Sequence, residues 1–174
     1  MNNKIFLLLT TIVILSISTS SIAQTSDINK DKKNIALNAT VSTDSTLNKD
    51  TLPENAVDGI TQDITKYWCS EKKRDHWFTV DFKKKSKFNA IKLYFPGDKK
   101  ITEYVSKGYR LEYWDEANNK WRRIIVEDEN TKIERNYSFP AITSTKIQIV
   151  FTEGPEDKMI RLSEIEVYGE LLPE

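Results

Sequence analysis

From Trp77 to Tyr168 the chain returns again and again to runs in which apolar and polar residues alternate, and that period of two constrains the fold more than any other feature. In Ala90-Ile91-Lys92-Leu93-Tyr94-Phe95, the side chains of Ile91, Leu93 and Phe95 share one side. Trp77-Phe78-Thr79-Val80-Asp81-Phe82, Tyr109-Arg110-Leu111-Glu112-Tyr113-Trp114, Lys146-Ile147-Gln148-Ile149-Val150-Phe151 and Glu164-Ile165-Glu166-Val167-Tyr168 behave alike. Successive side chains of a strand point to opposite faces, so each run reads as a half-buried strand, and the β-branched and aromatic residues suit that role.

Turn chemistry separates the runs. Asp58-Gly59, Pro96-Gly97-Asp98, Asp115 to Asn119 and Glu153-Gly154-Pro155 carry the residues that tight connections require. Trp114 to Trp121 is expected to form a hairpin around Asn118-Asn119. Lys83-Lys84-Lys85 falls where a strand ends and reads as a solvated turn or as protection of a sheet edge. No stretch after the N-terminal leader sustains a helical period. Many short strands with regular turns predict an all-β sandwich or barrel.

The N-terminus has a separate logic. Lys4 precedes an apolar run from Ile5 to Ile17, followed by Ser21-Ile22-Ala23. A basic start, a short apolar core and a small-x-small site describe a secretory signal peptide. The core is too short to span a bilayer core of about 30 Å. Cleavage is expected after Ala23, which divides the chain into a signal peptide (1–23), a polar linker (24–33), a folded domain (34–170) and a tail (171–174). The expected destination is secretion, the periplasm or the cell surface.

The 26 basic and 26 acidic residues balance. Without a basic excess to neutralise phosphates, nucleic acid is not an expected partner, and membrane insertion is not expected either. Cys69, the one cysteine, excludes an intramolecular disulfide and reads as a small buried residue. The single histidine, His76, leaves little for a Ser-His-Asp relay, a zinc cage has too few ligands, and no nucleophile elbow is present. The expectation is a non-enzyme.

Calcium requires several oxygens, including carboxylates and carbonyls held by a turn. Asp58 followed by Gly59, with Asp63 and Thr65 beyond, offers such a turn. A partner is needed at the other end of the chain, where Glu164 and Glu166 flank Ile165. By strand period alone both glutamates face solvent.

Five segments in order resemble the F5/8 type C (discoidin) superfamily, and within it the bacterial family 32 carbohydrate-binding modules. They are Asn34-Ile35-Ala36-Leu37-Asn38, Asn55-Ala56-Val57-Asp58-Gly59, Tyr67-Trp68-Cys69-Ser70, His76 to Phe82, and Leu162 to Gly169. The resemblance implies a jelly-roll β-sandwich of the galactose-binding-like type with a structural calcium ion. It implies side-chain ligands from Asp58 and Glu164, and backbone carbonyls from Asn55, Ile60 and Ser163. Asp63 and Thr65 compete for the remaining ligand position. Glu166 stays a solvated strand residue, and Trp77 corresponds to the family's core tryptophan.

The resemblance also implies a glycan partner, with galactose-type sugars among the candidates, bound by loops at one end of the sandwich. Sugar recognition needs an aromatic face and a few polar groups. Trp68, Glu71, Arg74 and His76 come from the first candidate loop, and Asp98 and Tyr104 from the second. A third loop, 152–159, carries Glu153 and Asp157 but no aromatic. Tyr104 is the preferred stacking residue. A protein-binding or surface-adhesion module on the same fold is the alternative. Lipid-binding relatives carry apolar spikes on these loops, whereas the loops here are mostly charged.

Overall fold

The computed structural model describes residues 32–61, 63–71, 75–98 and 102–173. The expected signal peptide and most of the expected linker lie outside the described residues, as does Arg74.

The strands are β1 (Lys33–Asn34), β2 (Thr40–Thr43), β3 (Trp68–Cys69), β4 (His76–Tyr94), β5 (Gly108–Asp115), β6 (Lys120–Glu127), β7 (Glu134–Glu153), β8 (Arg161–Leu162) and β9 (Glu164–Leu171). The helical content among the described residues is a 3-10 turn over Pro53–Ala56. Every strand pair is antiparallel. The hydrogen-bonded order is β1-β9-β4-β7-β5-β6 with β2 also on β4, and β3 pairs with β8.

Two long strands make this a sandwich. The first part of β4 pairs with β2 and with the end of β7, whereas its second part pairs with β9 and with the start of β7. β4 and β7 therefore pass from one layer into the other. The passage in β4 occurs at the register shift between Asp81 and Ser86, where Lys83 takes a φ of 62°. A bulge of this kind bends a strand and frees its extra residues from the ladder. The lysine run therefore does not end a strand as the sequence suggested. It forms the exposed corner of one continuous strand.

Inward residues of both layers merge into one core, in which Phe78, Val80, Leu111, Ile147 and Ile149 meet Ile91, Leu93, Ile165 and Val167. Each such side chain contributes roughly 1.5–3 kcal/mol through burial. Trp68 is fully buried among them, with its ring centroid 5.2 Å from Phe78 and 6.1 Å from Phe151. Its indole N–H donates to the Ser45 carbonyl at 3.1 Å, so the ring's polar edge is satisfied. Trp68 is thus the core tryptophan. Trp77, assigned that role from the resemblance, lies opposite Val150 and is only half-buried, because the inward position of its strand belongs to Phe78.

The expected hairpin is present, with Trp114 directly opposite Trp121 and their rings 5.3 Å apart. Cys69 is buried, as expected. Glu166 departs from its solvated reading. It is half-buried and accepts hydrogen bonds from the Tyr94 hydroxyl at 3.1 Å and the Tyr168 hydroxyl at 2.8 Å. Among the described residues no helix is long and apolar enough to cross a membrane.

Candidate functional site

The turn after the 3-10 segment is tied to the last strand. Ala56 and Val57 are buried in the core, which anchors the turn. Asp58 Oδ1 accepts from the Ile60 N–H at 2.9 Å, closing an Asx turn around Gly59. Gly59 has a φ of 82°, the left-handed region that favours glycine. Its N–H donates to Glu164 Oε1 at 3.1 Å, across 105 positions of sequence.

Glu164 stands opposite Tyr94 at the start of β9 and is fully buried. Ser163 beside it is also buried, and donates its N–H to the Tyr94 carbonyl at 2.8 Å. Burial, opposed by the Gly59 N–H and reinforced by the charges of Asp58 and Glu166, pushes the Glu164 carboxyl up to about 8. Glu164 Oε2 and Asp58 Oδ2 are both buried without a hydrogen-bond partner. The Lys66 ammonium lies 2.5 Å from Asp58 Oδ2, close enough for an ion pair but outside hydrogen-bonding geometry. Asp58 thus has a cation beside it, whereas Glu164 Oε2 is a buried carboxylate oxygen that faces none, and that is costly. The two carboxylates fit a hard divalent cation, which takes oxygen ligands and would bring to Glu164 the positive charge that Lys66 brings to Asp58.

The other expected ligands fall in two groups. Asn55 and Ile60 belong to the same turn. The Asn55 amide donates to the carbonyls of Asp50 at 3.1 Å and Tyr67 at 3.3 Å, and Ile60 is exposed. Asp63 and Thr65 are engaged with each other instead. Asp63 Oδ1 accepts from the Thr65 hydroxyl at 2.6 Å and its N–H at 2.8 Å, and these bonds hold the Asp63 carboxyl below its ordinary value. Both residues are exposed. Among the described residues no three His, Cys, Asp or Glu side chains gather into a metal cage.

At the loop end, residues 102–107 and 153–160 approach each other. A cavity of about 470 Å³ is lined by Tyr104, Lys107, Asn130, Glu156 and Asp157 among others. A second, of about 270 Å³, is lined by Asp75, His76, Glu153 and Lys158. Pro155 and Glu156 line both. Tyr104 is 36% exposed, and the Arg161 guanidinium lies 4.6 Å from its ring centroid. A guanidinium at that distance attracts the ring's π face and steadies it. Arg161 is held in turn by Asp157, with Nη2 to Oδ2 at 2.7 Å and Nη1 to Oδ1 at 3.2 Å. Buried Asn130 donates to the Ser106 carbonyl at 3.1 Å and so pins the loop that carries Tyr104.

The five expected ligand residues that the structure describes do not assemble as one set. Tyr104 is available at a cavity. Glu71 and Asp98 are exposed and line neither cavity. Trp68 is corrected, because a fully buried indole has no face to offer a sugar. His76 is only 2% exposed, since the first strand position of β4 turns inward. Its Nδ1 lies 2.9 Å from Asp44 Oδ2 and 3.4 Å from Ser45 Oγ. A relay would need the aspartate and the serine on different ring nitrogens, so this cluster does not have that geometry. Sequence reasoning missed Arg161 and the Asn130 pin. The Asp157-to-Arg161 spacing was visible, but only the fold places Tyr104 beside it.

A family model described as the F5/8 type C domain matches residues 38–165. A comparison with curated proteins found no match. Among solved structures, chitosan-binding module 1 from the chitosanase/glucanase of Paenibacillus sp. IK-5 is 21% identical, with a TM-score of 0.68 over 79% of this chain and 99% of that one. A Streptococcus pneumoniae fucose binding module is 20% identical, with a TM-score of 0.67 over 82% and 99%. The lectin domain of lectinolysin, solved with Lewis B antigen, is 23% identical, with a TM-score of 0.66 over 79% and 97%. At these identities the likeness is one of fold.

Proposed function

The chain belongs to the F5/8 type C domain family, and from that premise we propose that it is a non-catalytic carbohydrate-binding module. The observation that carries this reading is Tyr104, exposed at the mouth of a loop-end cavity and backed by the Arg161–Asp157 pair. An aromatic face takes the apolar side of a sugar ring. Lys107, Glu156 and the neighbouring backbone supply hydrogen bonds for hydroxyls. The glycan-binding modules and lectin domains that share the fold support the ligand class. The expected signal peptide supports a role outside the cytoplasm.

A structural calcium ion is part of the proposal. Glu164 would hold it through Oε2, which has no hydrogen-bond donor, and Asp58 through Oδ2, which would exchange its contact with the Lys66 ammonium for the ion, with carbonyls of the same turn and of Ser163 completing the shell. Bound there, the ion would supply the charge that lets Glu164 stay ionised while buried. The first-loop and last-strand segments would then be fixed relative to each other.

A glycan array, with galactose-type sugars among its members, tests the reading when probed with residues 24–174 in calcium. Binding to one sugar class, abolished by Tyr104→Ala with no change in melting temperature, is the expected result. A blank array from folded protein would refute it and favour the protein-adhesion alternative.

A further inference from the structure

At the end of the sandwich where the chain enters β1 and leaves β9 there is a cleft of about 820 Å³, remote in sequence from the loop-end cavities. Its wall includes Lys32, Lys33, Lys87, Leu37, Leu171 and the edge of Phe88. The register explains the convergence. β9 lies between β1 and β4, with Lys33 opposite Gly169 on one side and Lys87 opposite Glu170 on the other. Gly169 keeps the floor open. A Cβ there would come within 2.3 Å of the Lys87 carbonyl oxygen and 2.8 Å of Phe88 Cα, so β9 passes β4 at backbone contact.

Two properties of this cleft stand out in a chain of zero net charge. Among the described residues, no carboxylate lies within ion-pair distance of the Lys33 or Lys87 ammonium, although Glu170 is in the lining. Lys32 reaches across to Asn89 Oδ1 at 2.5 Å, which brings a third ammonium to the same mouth. Beside these charges are two half-exposed aliphatic side chains, Leu37 at 48% and Leu171 at 53%. The one aromatic in the lining, Phe88, is buried. A pyranose wants an exposed aromatic face, which this cleft does not present. Ammonium groups next to exposed aliphatic surface complement an anion that carries a hydrocarbon part.

We propose that this cleft binds a single-chain anionic amphiphile, a long-chain carboxylate, with its head at Lys32, Lys33 and Lys87 and its chain along Leu37, Ile35 and Leu171. The volume lies within the range of pockets for single small molecules, roughly 300–1,000 Å³, which favours a monomeric ligand over a bilayer surface. The proposal is independent of the glycan reading, because the two sites share no residue.

Calorimetric titration with dodecanoate below its critical micelle concentration tests it. Saturable binding is expected, with no binding of acetate or of dodecyltrimethylammonium. Lys33→Glu/Lys87→Glu should weaken dodecanoate at least about tenfold and leave the circular dichroism spectrum and any glycan affinity unchanged. Leu171→Asp, at an exposed position, should do the same from the apolar side. Equal binding by wild type and both variants, equal binding of the cationic amphiphile, or no dodecanoate binding would each overturn the proposal. So would binding confined to phosphatidylglycerol vesicles, which would assign the lysines to a membrane surface instead.

Discussion

Glu164→Gln separates the structural-metal proposal from its alternatives because the sign of its effect depends on the metal. Without metal, the wild-type carboxyl is buried beside Asp58 and titrates near 8 against an ordinary 4.5. The folded state therefore holds a proton that the unfolded chain has released, and stability falls as pH rises from about 4.5 toward 8. At about 1.4 kcal/mol per pH unit, the charge at Glu164 costs about 3 kcal/mol by pH 7. Glutamine has nearly the same shape and no charge, so the metal-free variant should be the more stable protein. For a domain of this size the difference corresponds to a rise in Tm on the order of 10 °C. With calcium the order reverses. A ligand at about a thousand times its Kd stabilises the protein that binds it by about 4.1 kcal/mol, which exceeds the cost of the buried charge, and the variant has lost a charged ligand.

The assay is thermal unfolding of both proteins in EDTA and in excess calcium, at pH 5 and pH 7. The wild type should gain from calcium and the variant should gain little. In EDTA the advantage of the variant should be much smaller at pH 5, where the wild-type carboxyl is protonated. If the variant melts below wild type in EDTA at pH 7, and calcium shifts neither protein, the reasoning about the buried Glu164 carboxylate is wrong.

Other perturbations report on the frame around the sites. Trp68→Ala removes the largest fully buried side chain and its hydrogen bond to Ser45, so a loss of about 3–5 kcal/mol is expected in urea unfolding; a loss below about 1 kcal/mol would return Trp68 to the surface and to the ligand set. Gly169→Ala drives a methyl group into the Lys87 carbonyl, where backbone rather than a flexible side chain must move. A destabilisation of about 1–3 kcal/mol follows, and unchanged melting would show that β9 does not approach β4 so closely. Arg161→Met keeps much of the packing volume but removes both the cation over Tyr104 and the bonds to Asp157. It should weaken glycan binding less than Tyr104→Ala does, and equal loss would make Arg161 a direct contact.

The strands were legible because burial on one face leaves a period of two wherever the chain is half-exposed, as in Ala90 to Phe95. The merging of Trp77 to Phe82 and Ala90 to Phe95 into β4 was not. A bulge costs only a local departure from the ladder, and Lys83 to Lys85 look the same in a turn as at a corner. The first part of β7, Glu134 to Thr143, was missed for a different reason, since it alternates between exposed and half-buried residues and none of them is fully buried. Glu164 faces solvent by strand period and is buried in fact, because the turn at Gly59 covers that end of β9. Trp68 rather than Trp77 holds the core position, and the sequence does not show which of the two faces inward.

Local patterning by itself determined the all-β class, the Asp58-Gly59 turn and the Trp114–Trp121 hairpin. Each depends on residues close in sequence, whose preferences act before any tertiary contact forms. Tertiary structure alone decided that Glu164 would meet Gly59, that Arg161 would lie over Tyr104, and that Lys33 and Lys87 would share a cleft. Those meetings join residues far apart in the chain. They depend on strand order, on bulges, on the left-handed turn at Gly59 and on close backbone approach at Gly169, which are set by the packing of the whole domain.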